Sequence, residues 1–159
     1  MVLQGRICTL RSVESKDIDT ILLWENDSEV RRAGSPEKEM FTRADIEQFV
    51  RNQQHPTAET GQLRLIIDVG RRTVGAIDLY EHNGISAGVG ILVYAASDRR
   101  NGYAADALQT LIGYARETSL ALLYAETSPS NVASRRLFER SGFVCTYESS
   151  DKIGLTLIL

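Results

Sequence analysis

The hydrophobic pattern of the chain changes its period at Gly102, and this change limits the folds that are open to it. Before Gly102, apolar segments rich in β-branched residues are separated by short turns, which predicts an antiparallel meander. After Gly102, apolar residues recur every three or four positions, as on one face of an amphipathic helix. We expect strands at Leu63–Val69, Val74–Tyr80 and Val89–Tyr94, turns at Arg71-Arg72 and His82-Asn83-Gly84, and a helical face made of Ala104, Ala107, Leu108, Leu111, Ile112 and Ala115.

The segments on either side continue this mixture of strands and helices. Asp17 is predicted to cap a first helix, and Thr42 with Asp45 forms a capping-box pattern before a second. Their apolar stripes are Ile18, Ile21 and Leu22 in the first helix, and Ile46, Phe49 and Val50 in the second. Further strands are predicted at Arg6–Arg11, Leu120–Glu126, Phe143–Glu148 and Lys152–Leu159, a loop at Pro56–Gly61, and a last helix that opens at Pro129-Ser130-Asn131 and stops at Gly142. The order predicts an α+β, or mixed α/β, fold with helices on the faces of a sheet.

Length and composition set the broad class. The 159 residues fit one domain, 1–159, with a net charge of −3, 43% hydrophobic residues and 25% charged residues. No apolar run reaches the roughly 18 residues of a membrane span, and the first ten residues lack a signal-peptide core, so we expect a cytoplasmic protein without a membrane partner. The mild acidity predicts no nucleic-acid partner.

Cysteine and histidine usage indicates neither disulfide nor metal chemistry. Cys8 and Cys145 each lie in an apolar, strand-like stretch, so we expect reduced thiols in the core rather than a disulfide. His55 and His82 have no partner at the spacing of metal ligands, and we expect no metal.

The stretch SDRRNGYAADAL, Ser97–Leu108, places two arginines and a glycine at the start of the predicted helix. A helix start offers about four backbone N–H groups without intrahelical partners, together with the positive end of the helix dipole. Gly102 allows a sharp turn and close approach of a ligand, and Arg99 and Arg100 carry charge suited to phosphate oxygens. The pattern favours a diphosphate site, with a capped helix behind a solvated turn as the alternative. It matches neither a P-loop nor a dinucleotide fingerprint.

Three stretches of the sequence resemble one known family. Arg99-Arg100-Asn101-Gly102-Tyr103-Ala104 fits the Q/R-x-x-G-x-G/A signature of the GNAT superfamily of N-acetyltransferases, and NVASRRLFERSGF, Asn131–Phe143, is similar to its second signature. LLWENDSEVR, Leu22–Arg31, is similar to the first helix of the branch that holds the ribosomal-protein and spermidine acetyltransferases. The likeness covers nearly the whole chain and implies a GNAT-like fold with a central, twisted, mostly antiparallel sheet.

The resemblance implies acetyl-CoA as cosubstrate and assigns the residues that bind it. The backbone from Arg100 to Ala105 would cradle the pyrophosphate, and the amides of Ile91 to Val93 would pair with the pantetheine arm as an added strand. Asn131 would bond the same arm or cap its helix, and Arg135 and Arg136 would reach the 3′-phosphate or form a solvated face. The cofactor-binding residues are therefore Ile91, Leu92, Val93, Arg99, Arg100, Asn101, Gly102, Tyr103, Ala104, Ala105 and Asn131.

The implied reaction is attack of a primary amine on a thioester, and it has to move two protons. Many relatives protonate the leaving thiolate with a tyrosine at the position of Phe138. A thiol pKa of about 8.5 makes an unprotonated departure at pH 7 cost only about 2 kcal/mol. Ser134, one helical turn before Phe138, is our candidate acid, because the ribosomal-protein branch has a serine there. A small residue chosen for packing is the alternative.

The general base and the residues that would surround the acceptor amine, called the acceptor wall, are predicted from weaker signals. Asp78 interrupts an apolar strand and would accept a proton through water, or else faces solvent. Trp24 and Glu25 lie where the branch has its acceptor wall, and Tyr80 shares the strand face of Asp78. Asp27 and Glu29 add negative charge that suits a cationic amine, although a solvated helix end explains them equally well.

Two other functions remain open on the sequence. A non-catalytic sensor of acyl-CoA would keep the cofactor loop and tolerate Phe138, and a different phosphate-binding α/β domain would make the second signature a coincidence. The acceptor is equally open among polyamines, amino sugars and protein N-termini. The protein would be a monomer, or a homodimer in which the apolar closing strand Leu155–Leu159 pairs across subunits.

Overall fold

Eight strands form one sheet in the computed structural model, which describes residues 1–33, 39–55 and 57–159. The strands are β1 Val2–Gln4, β2 Thr9–Ser12, β3 Leu63–Val69, β4 Arg72–Tyr80, β5 Ser86–Val93, β6 Leu122–Thr127, β7 Val144–Glu148 and β8 Ile153–Ile158. The helices are α1 Ile18–Asn26, α2 Ser28–Ala33, α3 Arg43–Asn52, α4 Thr57–Thr60, α5 Tyr103–Arg116 and α6 Val132–Arg140. The predicted α+β architecture with a mostly antiparallel sheet is confirmed.

The strand order is β1-β2-β3-β4-β5-β6-β8-β7, and every neighbouring pair is antiparallel except β5 with β6. This parallel pair is short, because the register joins Ser86–Gly88 to Leu122–Tyr124 and ends there. β5 runs on to Val93 beside β4, and β6 runs on to Thr127 beside β8. The sheet therefore opens between β5 and β6 beyond Gly88, and this wedge-shaped space is called the opening below.

The two faces of the sheet have different cores. One face, covered by α5 and α6, holds a large apolar cluster to which α5 contributes Ala107, Leu108, Leu111, Ile112 and Ala115. The other face, covered by α1 and α3, holds a smaller cluster made of Val13, Ile21, Trp24, Ile46, Val50, Ile66 and Ala76. Alternate side chains of β3 and β4 supply both clusters, because successive residues of a strand point to opposite faces.

Local signals at three helix ends are confirmed. Thr42 and Asp45 form the capping box of α3, with Asp45 N–H donating to Thr42 Oγ1 at 3.2 Å and Thr42 N–H donating to Asp45 Oδ2 at 2.7 Å. Asn131 caps α6 by accepting from Ser134 N–H at 3.1 Å. Gly142 ends α6 at φ +98°, where Phe143 N–H donates back to Phe138 C=O.

The structure differs from the predicted elements at several places. Asp17 stands before α1 at the end of a 3₁₀ turn, Ser15–Asp17, and makes no side-chain cap, because its carboxylate accepts from Glu14 N–H and from Arg11. Part of the predicted loop forms α4, and Pro56 lies outside the described residues. The sequence analysis placed no helix at α2. β8 lies between β6 and β7, and β7 pairs with it only as far as Thr156, so the pairing of Leu155–Leu159 across subunits stays a prediction.

The two cysteines are free thiols in different surroundings. Cys8 is fully buried, and burial together with the nearby Asp106 raises its pKa to about 11. Cys145 is only partly buried, on β7, so the prediction of a core thiol is confirmed for Cys8 alone. None of the described helices has the length and apolar character that a membrane crossing requires.

The predicted strand Arg6–Arg11 is confirmed only for Thr9–Arg11, which belong to β2, because a side chain from α5 binds the backbone of Arg6–Cys8. The carboxylate of Asp106 accepts from the N–H groups of Arg6, Ile7 and Cys8 at 3.0, 2.8 and 2.8 Å. The chain therefore turns between β1 and β2, and a Cβ on Gly5 would lie 2.4 Å from Asp106 Oδ2. Burial raises the pKa of Asp106, but these three hydrogen bonds outweigh it and leave the pKa below its usual range. The β1–β2 hairpin is thus fastened to the first turn of α5.

We predict that Asp106→Ala lowers the free energy of unfolding by about 3 kcal/mol at pH 7, because three amides lose a charged acceptor. Since the folded pKa is depressed, the wild-type advantage is complete above the unfolded pKa of about 3.9 and is lost as the pH falls through the folded pKa. Urea denaturation at a series of pH values measures both effects. Asp151→Ala, at an exposed turn, is the control, and an equal loss in the two variants would contradict the prediction.

Candidate active site

Backbone groups of β5 face the opening. Tyr94 N–H donates to Val74 C=O at 3.0 Å, and Ile85 C=O accepts from Ala121 N–H at 2.7 Å, which fixes the alternation at both ends of the strand. Even-numbered residues therefore direct their peptide groups toward β4, and odd-numbered residues direct theirs toward β6. Because the β5–β6 ladder ends at Gly88, the peptide groups of Ile91 and Val93 point into the opening, whereas that of Leu92 faces its partner Ala76 on β4.

The predicted anion loop lies at the carboxyl end of β5. Gly102 precedes α5 at φ +81°, and Arg100 also has a left-handed backbone at φ +62°. A Cβ at Gly102 would meet only the end of Ile7, at 3.6 Å, so the protein itself leaves that side of the loop open. Within the described chain, the N–H groups of residues 100–105 have no backbone or side-chain acceptor outside the helix. The loop thus offers a set of converging donors at a helix start.

Two side chains around this loop bind its backbone, and a third is unpaired among the described residues. Arg99 donates to the carbonyls of Val93 and Tyr94 at 3.2 and 3.0 Å, and Asn101 donates to those of Ser97 and Arg99 at 3.2 and 3.1 Å. Arg99 and Asn101 therefore hold the loop with their side chains. Arg100 is exposed and has no hydrogen bond or ion pair with any described residue, so its guanidinium remains free to meet an anion.

On α6, the predicted acid and its neighbour lie in different surroundings. Ser134 is partly buried in the first turn, and its hydroxyl has no hydrogen bond within the described chain. Phe138, one turn later, is only 4% exposed and packs edge-on against Phe143, with 5.1 Å between the ring centroids. Phe138 is therefore a core residue. The amide nitrogen of Asn131 keeps its donor capacity, because its cap uses only the oxygen.

Asp78 is paired with a cation rather than free. Both of its oxygens accept from Arg64, its cross-strand partner on β3, at 2.7 Å each. Arg64 also donates to Glu25 at 2.8 Å and lies 5.0 Å from the ring centroid of Phe49. The three charged side chains are between 14% and 26% exposed, so the cluster is largely removed from water. The predicted alternative of a solvated Asp78 is wrong, and Glu25 lies in the same cluster.

Trp24 on α1 and Tyr94 just after β5 connect helices α1 and α2 to the end of β5. Trp24 is only 4% exposed, and its ring lies 5.9 Å from that of Tyr94. Tyr94 donates to Asp27 at 3.0 Å, and this hydrogen bond is the largest cause of the raised pKa of Tyr94. Asp27 also accepts from the N–H of Glu29 at the start of α2, at 2.9 Å. Trp24 is thus a core residue, and it has little exposed surface for the predicted contact with an acceptor.

A model of the acetyltransferase (GNAT) domain matches residues 8–144, which is most of the chain. The chain belongs to the GNAT acetyltransferase family. None of the curated proteins compared with the chain matches it.

Solved structures of other acetyltransferases have the same fold as this GNAT protein. One is a GNAT-family acetyltransferase from Bacillus anthracis, 21% identical with a TM-score of 0.79, covering 99% of this chain and 98% of its own. A second is the ribosomal-protein acetyltransferase RimL in complex with coenzyme A, 15% identical with a TM-score of 0.82, covering 100% and 98%. A third is a spermidine N-acetyltransferase from Vibrio cholerae in complex with CoA and spermine, 19% identical with a TM-score of 0.81, covering 95% of each chain.

Two further side chains lie at the closed end of the opening in this GNAT protein, and the sequence analysis did not name either as a candidate site residue. Tyr124 belongs to the last β5–β6 pair, and its hydroxyl donates to Glu81, which follows β4. Its ring lies edge-on to that of Tyr80, with 5.9 Å between centroids. A tyrosine within a strand gives no signal of its own. The unusual feature is Glu81, a residue other than glycine at φ +49°, which only the structure reveals.

We predict that Arg64→Met lowers the free energy of unfolding by about 3 kcal/mol, because it leaves two largely buried carboxylates without their shared cation. Arg43→Met is the matched control, since Arg43 pairs with Asp19 and Glu47 at the surface and its loss should cost less than about 1 kcal/mol. Urea denaturation of both variants measures the difference. Equal losses would mean that the Arg64 cluster contributes no more than a surface pair.

Proposed function

We propose that this GNAT protein transfers an acetyl group from acetyl-CoA to a primary amine. The observation that carries the proposal is the opening between β5 and β6, whose wall presents the peptide groups of Ile91 and Val93 and leads directly from the loop at Gly102. Among the described residues, the N–H and C=O of Ile91 and the N–H of Val93 have no hydrogen-bond partner, whereas the Val93 carbonyl already accepts from Arg99. Backbone groups in a folded protein require hydrogen-bond partners. An extended ligand with amides along its length and a phosphate at one end supplies them.

The pyrophosphate of acetyl-CoA would bind the N–H groups of residues 100–105, with the positive end of the α5 dipole behind them. Arg100 adds a free cation, and Arg99 and Asn101 hold the shape of the loop. From there the pantetheine arm would run beside β5 toward Gly88, a path of about 16 Å at about 3.3 Å per residue. Asn131, across the opening on α6, would donate from its amide nitrogen to the same arm.

This orientation brings the thioester to the closed end of the opening, and the amine would approach from the face covered by α1 and α3. The amine nitrogen attacks the carbonyl carbon, and the thiolate of CoA leaves. Because a departing thiolate costs only about 2 kcal/mol at pH 7, a weak donor is sufficient, and the unbonded hydroxyl of Ser134 is our candidate.

If Asp78 is the base, Arg64 competes with the proton-carrying water for its carboxylate. To accept a proton through water, Asp78 has to exchange one of its two hydrogen bonds to Arg64 for a bond to that water. Glu25 is engaged with Arg64 through one oxygen, Oε1, and its other oxygen has no hydrogen bond within the described chain. The acceptor would therefore meet Glu25 and Tyr80 before Asp78. This negative wall suits an acceptor that carries an ammonium group.

The acceptor is proposed only as a class. Structures with this fold include complexes with spermine and with ribostamycin, and a ribosomal-protein acetyltransferase, so polyamines, aminoglycosides and peptide N-termini are the panel to test. Turnover with any of them supports the enzyme. CoA binding without turnover on the whole panel would favour a non-catalytic sensor of acyl-CoA, for which the phenylalanine at position 138 is the supporting feature.

We predict that the wild-type protein binds CoA with a Kd in the micromolar range, corresponding to about −8 kcal/mol, and that Gly102→Val weakens this binding more than Arg100→Ala does. A β-branched residue is strained at φ +81° and blocks the close approach of the phosphate, whereas Arg100 adds only a partly screened charge. Isothermal titration calorimetry with CoA measures all three affinities.

Gly84→Val is the matched control, because Gly84 also has a left-handed backbone, at φ +88°, but lies in the turn at the opposite end of β5. It should cost stability and leave CoA affinity unchanged. If a folded Gly102→Val protein binds CoA as tightly as the Gly84→Val protein, the placement of the pyrophosphate is wrong.

We predict that Ser134→Ala lowers kcat by roughly ten- to thirtyfold, which corresponds to about 2 kcal/mol. Phe138→Tyr should raise kcat by no more than that factor and lower stability, because the ring is buried against Phe143 and the new hydroxyl gains no assured partner. Steady-state kinetics with the panel amine that is turned over, together with urea denaturation, tests both. A thousandfold loss in Ser134→Ala with normal CoA binding would show that the acid step is far more demanding than the thiol pKa indicates.

A further inference from the structure

The closed end of the opening is lined by aromatic rings. Tyr124 and Gly88 form the last pair of the parallel ladder, and the ring of Tyr80 lies across Gly88. A Cβ at Gly88 would lie 2.4 Å from the ring of Tyr80, so only a glycine leaves room for this ring. Tyr80 in turn lies edge-on to Tyr124 at 5.9 Å. The hydroxyl of Tyr124 is therefore held in one place, on the face from which an acceptor approaches.

The partner of this hydroxyl is held by a strained backbone. Tyr124 donates to a carboxylate oxygen of Glu81, 43 residues earlier in the chain. Glu81 has φ +49°, a conformation that costs a residue with a Cβ free energy and that tends to persist at functional sites. Glu81 is exposed, so a proton that reaches it passes freely to water.

The charges around Tyr124 keep it protonated. Burial, followed by the hydrogen bond and the charge of Glu81, raises the pKa of the Tyr124 phenol, and Tyr80 and Glu126 act in the same direction. Glu126 pairs with Lys152 at 3.2 Å, and Asp78, which faces Tyr80, is paired with Arg64. A protonated phenol whose hydrogen is directed at Glu81 presents its oxygen lone pair to whatever lies in front of it.

We propose that Tyr124 is a catalytic residue that accepts a proton from the acceptor nitrogen while its own proton passes to Glu81. The proposal rests on the transfer reaction proposed above and deepens it by naming the path of that proton. Glu81 acts through Tyr124 and is a positioning residue and proton acceptor.

The step balances as follows. The bound ammonium first loses one proton to water. The lone pair of the resulting neutral amine forms the C–N bond, and the π pair of the thioester carbonyl moves to its oxygen. The nitrogen, now positive, gives one proton to Tyr124 Oη, and the original phenol proton moves to Glu81. The pair on the carbonyl oxygen re-forms the double bond, and the C–S bond breaks with its pair on sulfur. Glu81 then returns its proton to water, and the thiolate takes a proton from the hydroxyl of Ser134, which regains one from water, so that the products are an amide and a neutral thiol.

The test compares Tyr124→Phe, Glu81→Gln and the double variant with two controls, Tyr114→Phe and Glu117→Gln. Tyr114 lies partly buried on α5, and Glu117 is exposed at the end of α5, so the controls remove the same groups away from the opening. The wild type is first assayed for release of the CoA thiol from acetyl-CoA with spermidine, ribostamycin and a short peptide with a free N-terminus. All variants are then compared on the amine that is turned over, and their CoA affinities are measured by calorimetry.

We expect Tyr124→Phe and Glu81→Gln each to lower kcat about 100-fold at pH 7, with the amine KM and the CoA Kd within about twofold of wild type. The double variant should lose little more than either single variant, because the two groups serve one proton path. The loss should shrink toward pH 9, where water and hydroxide take over the proton. A change confined to KM, or one that is equal at every pH, would indicate a structural role and overturn the proposal.

The outcomes distinguish a failure of the Tyr124 proposal from a failure of the acetyl-transfer proposal on which it rests. If Glu81→Gln keeps full activity while Tyr124→Phe does not, Tyr124 acts alone and the relay is wrong. If Tyr124→Phe stays within about twofold of the Tyr114→Phe control on a turned-over amine, the role of Tyr124 is wrong although acetyl transfer stands. If the wild type acetylates no amine of the panel, acetyl transfer itself is overturned, and the proton path with it.

Discussion

The parting of β5 from β6 beyond Gly88 is the constraint on which the rest of the molecule depends. A sheet that stops pairing in its middle leaves backbone donors and acceptors without partners on the neighbouring strand, and unsatisfied backbone groups are costly. The protein leaves the N–H and C=O of Ile91 and the N–H of Val93 directed into this space, whereas the Val93 carbonyl accepts from Arg99. α6 stands after β6 on the far side of the opening, and the Gly102 loop stands at its wide end. A ligand that pairs like a strand would complete the sheet.

Such an opening needs a rigid frame, which α5 supplies. Its buried stripe fixes it to the sheet, and its first turn is fastened to the β1–β2 hairpin through three amides that converge on Asp106. Tyr94, just after β5, is tied through Asp27 to α2. The loop that carries Arg100 and Gly102 in left-handed conformations is thus fixed on both sides, so its donors keep their direction without help from a ligand.

Short-range signals predicted much of this frame, and long-range contacts account for what was missed. The capping box at Thr42 and the cap at Asn131 involve residues three positions apart, which a sequence displays directly. The helix face of α5 and the meander follow from periodicity. The capture of the Arg6–Cys8 backbone joins groups about 100 residues apart, and periodicity carries no trace of it. The pairing of Arg64 with Asp78 had a visible signal, one charge in each of two neighbouring apolar strands, but reading it required the register of β3 on β4.

One face of the sheet mainly stabilises the fold, and the other face carries the ionic groups. The face under α5 and α6 is almost wholly apolar and includes Phe138, so it stabilises the fold without specifying a substrate. The face under α1 and α3 combines a small apolar cluster with ionic groups such as the Arg64 cluster, and burying charges is a weak source of net stability. On that face, the ionic groups determine where negative charge lies. Arg64 is shared by Asp78 and Glu25, so this cluster carries one net negative charge, and Glu81 beside Tyr124 carries a second one, which under the proposed function would face an arriving amine. A cation drawn in between them comes to the closed end of the opening, where the thioester of a cofactor lying along β5 would be.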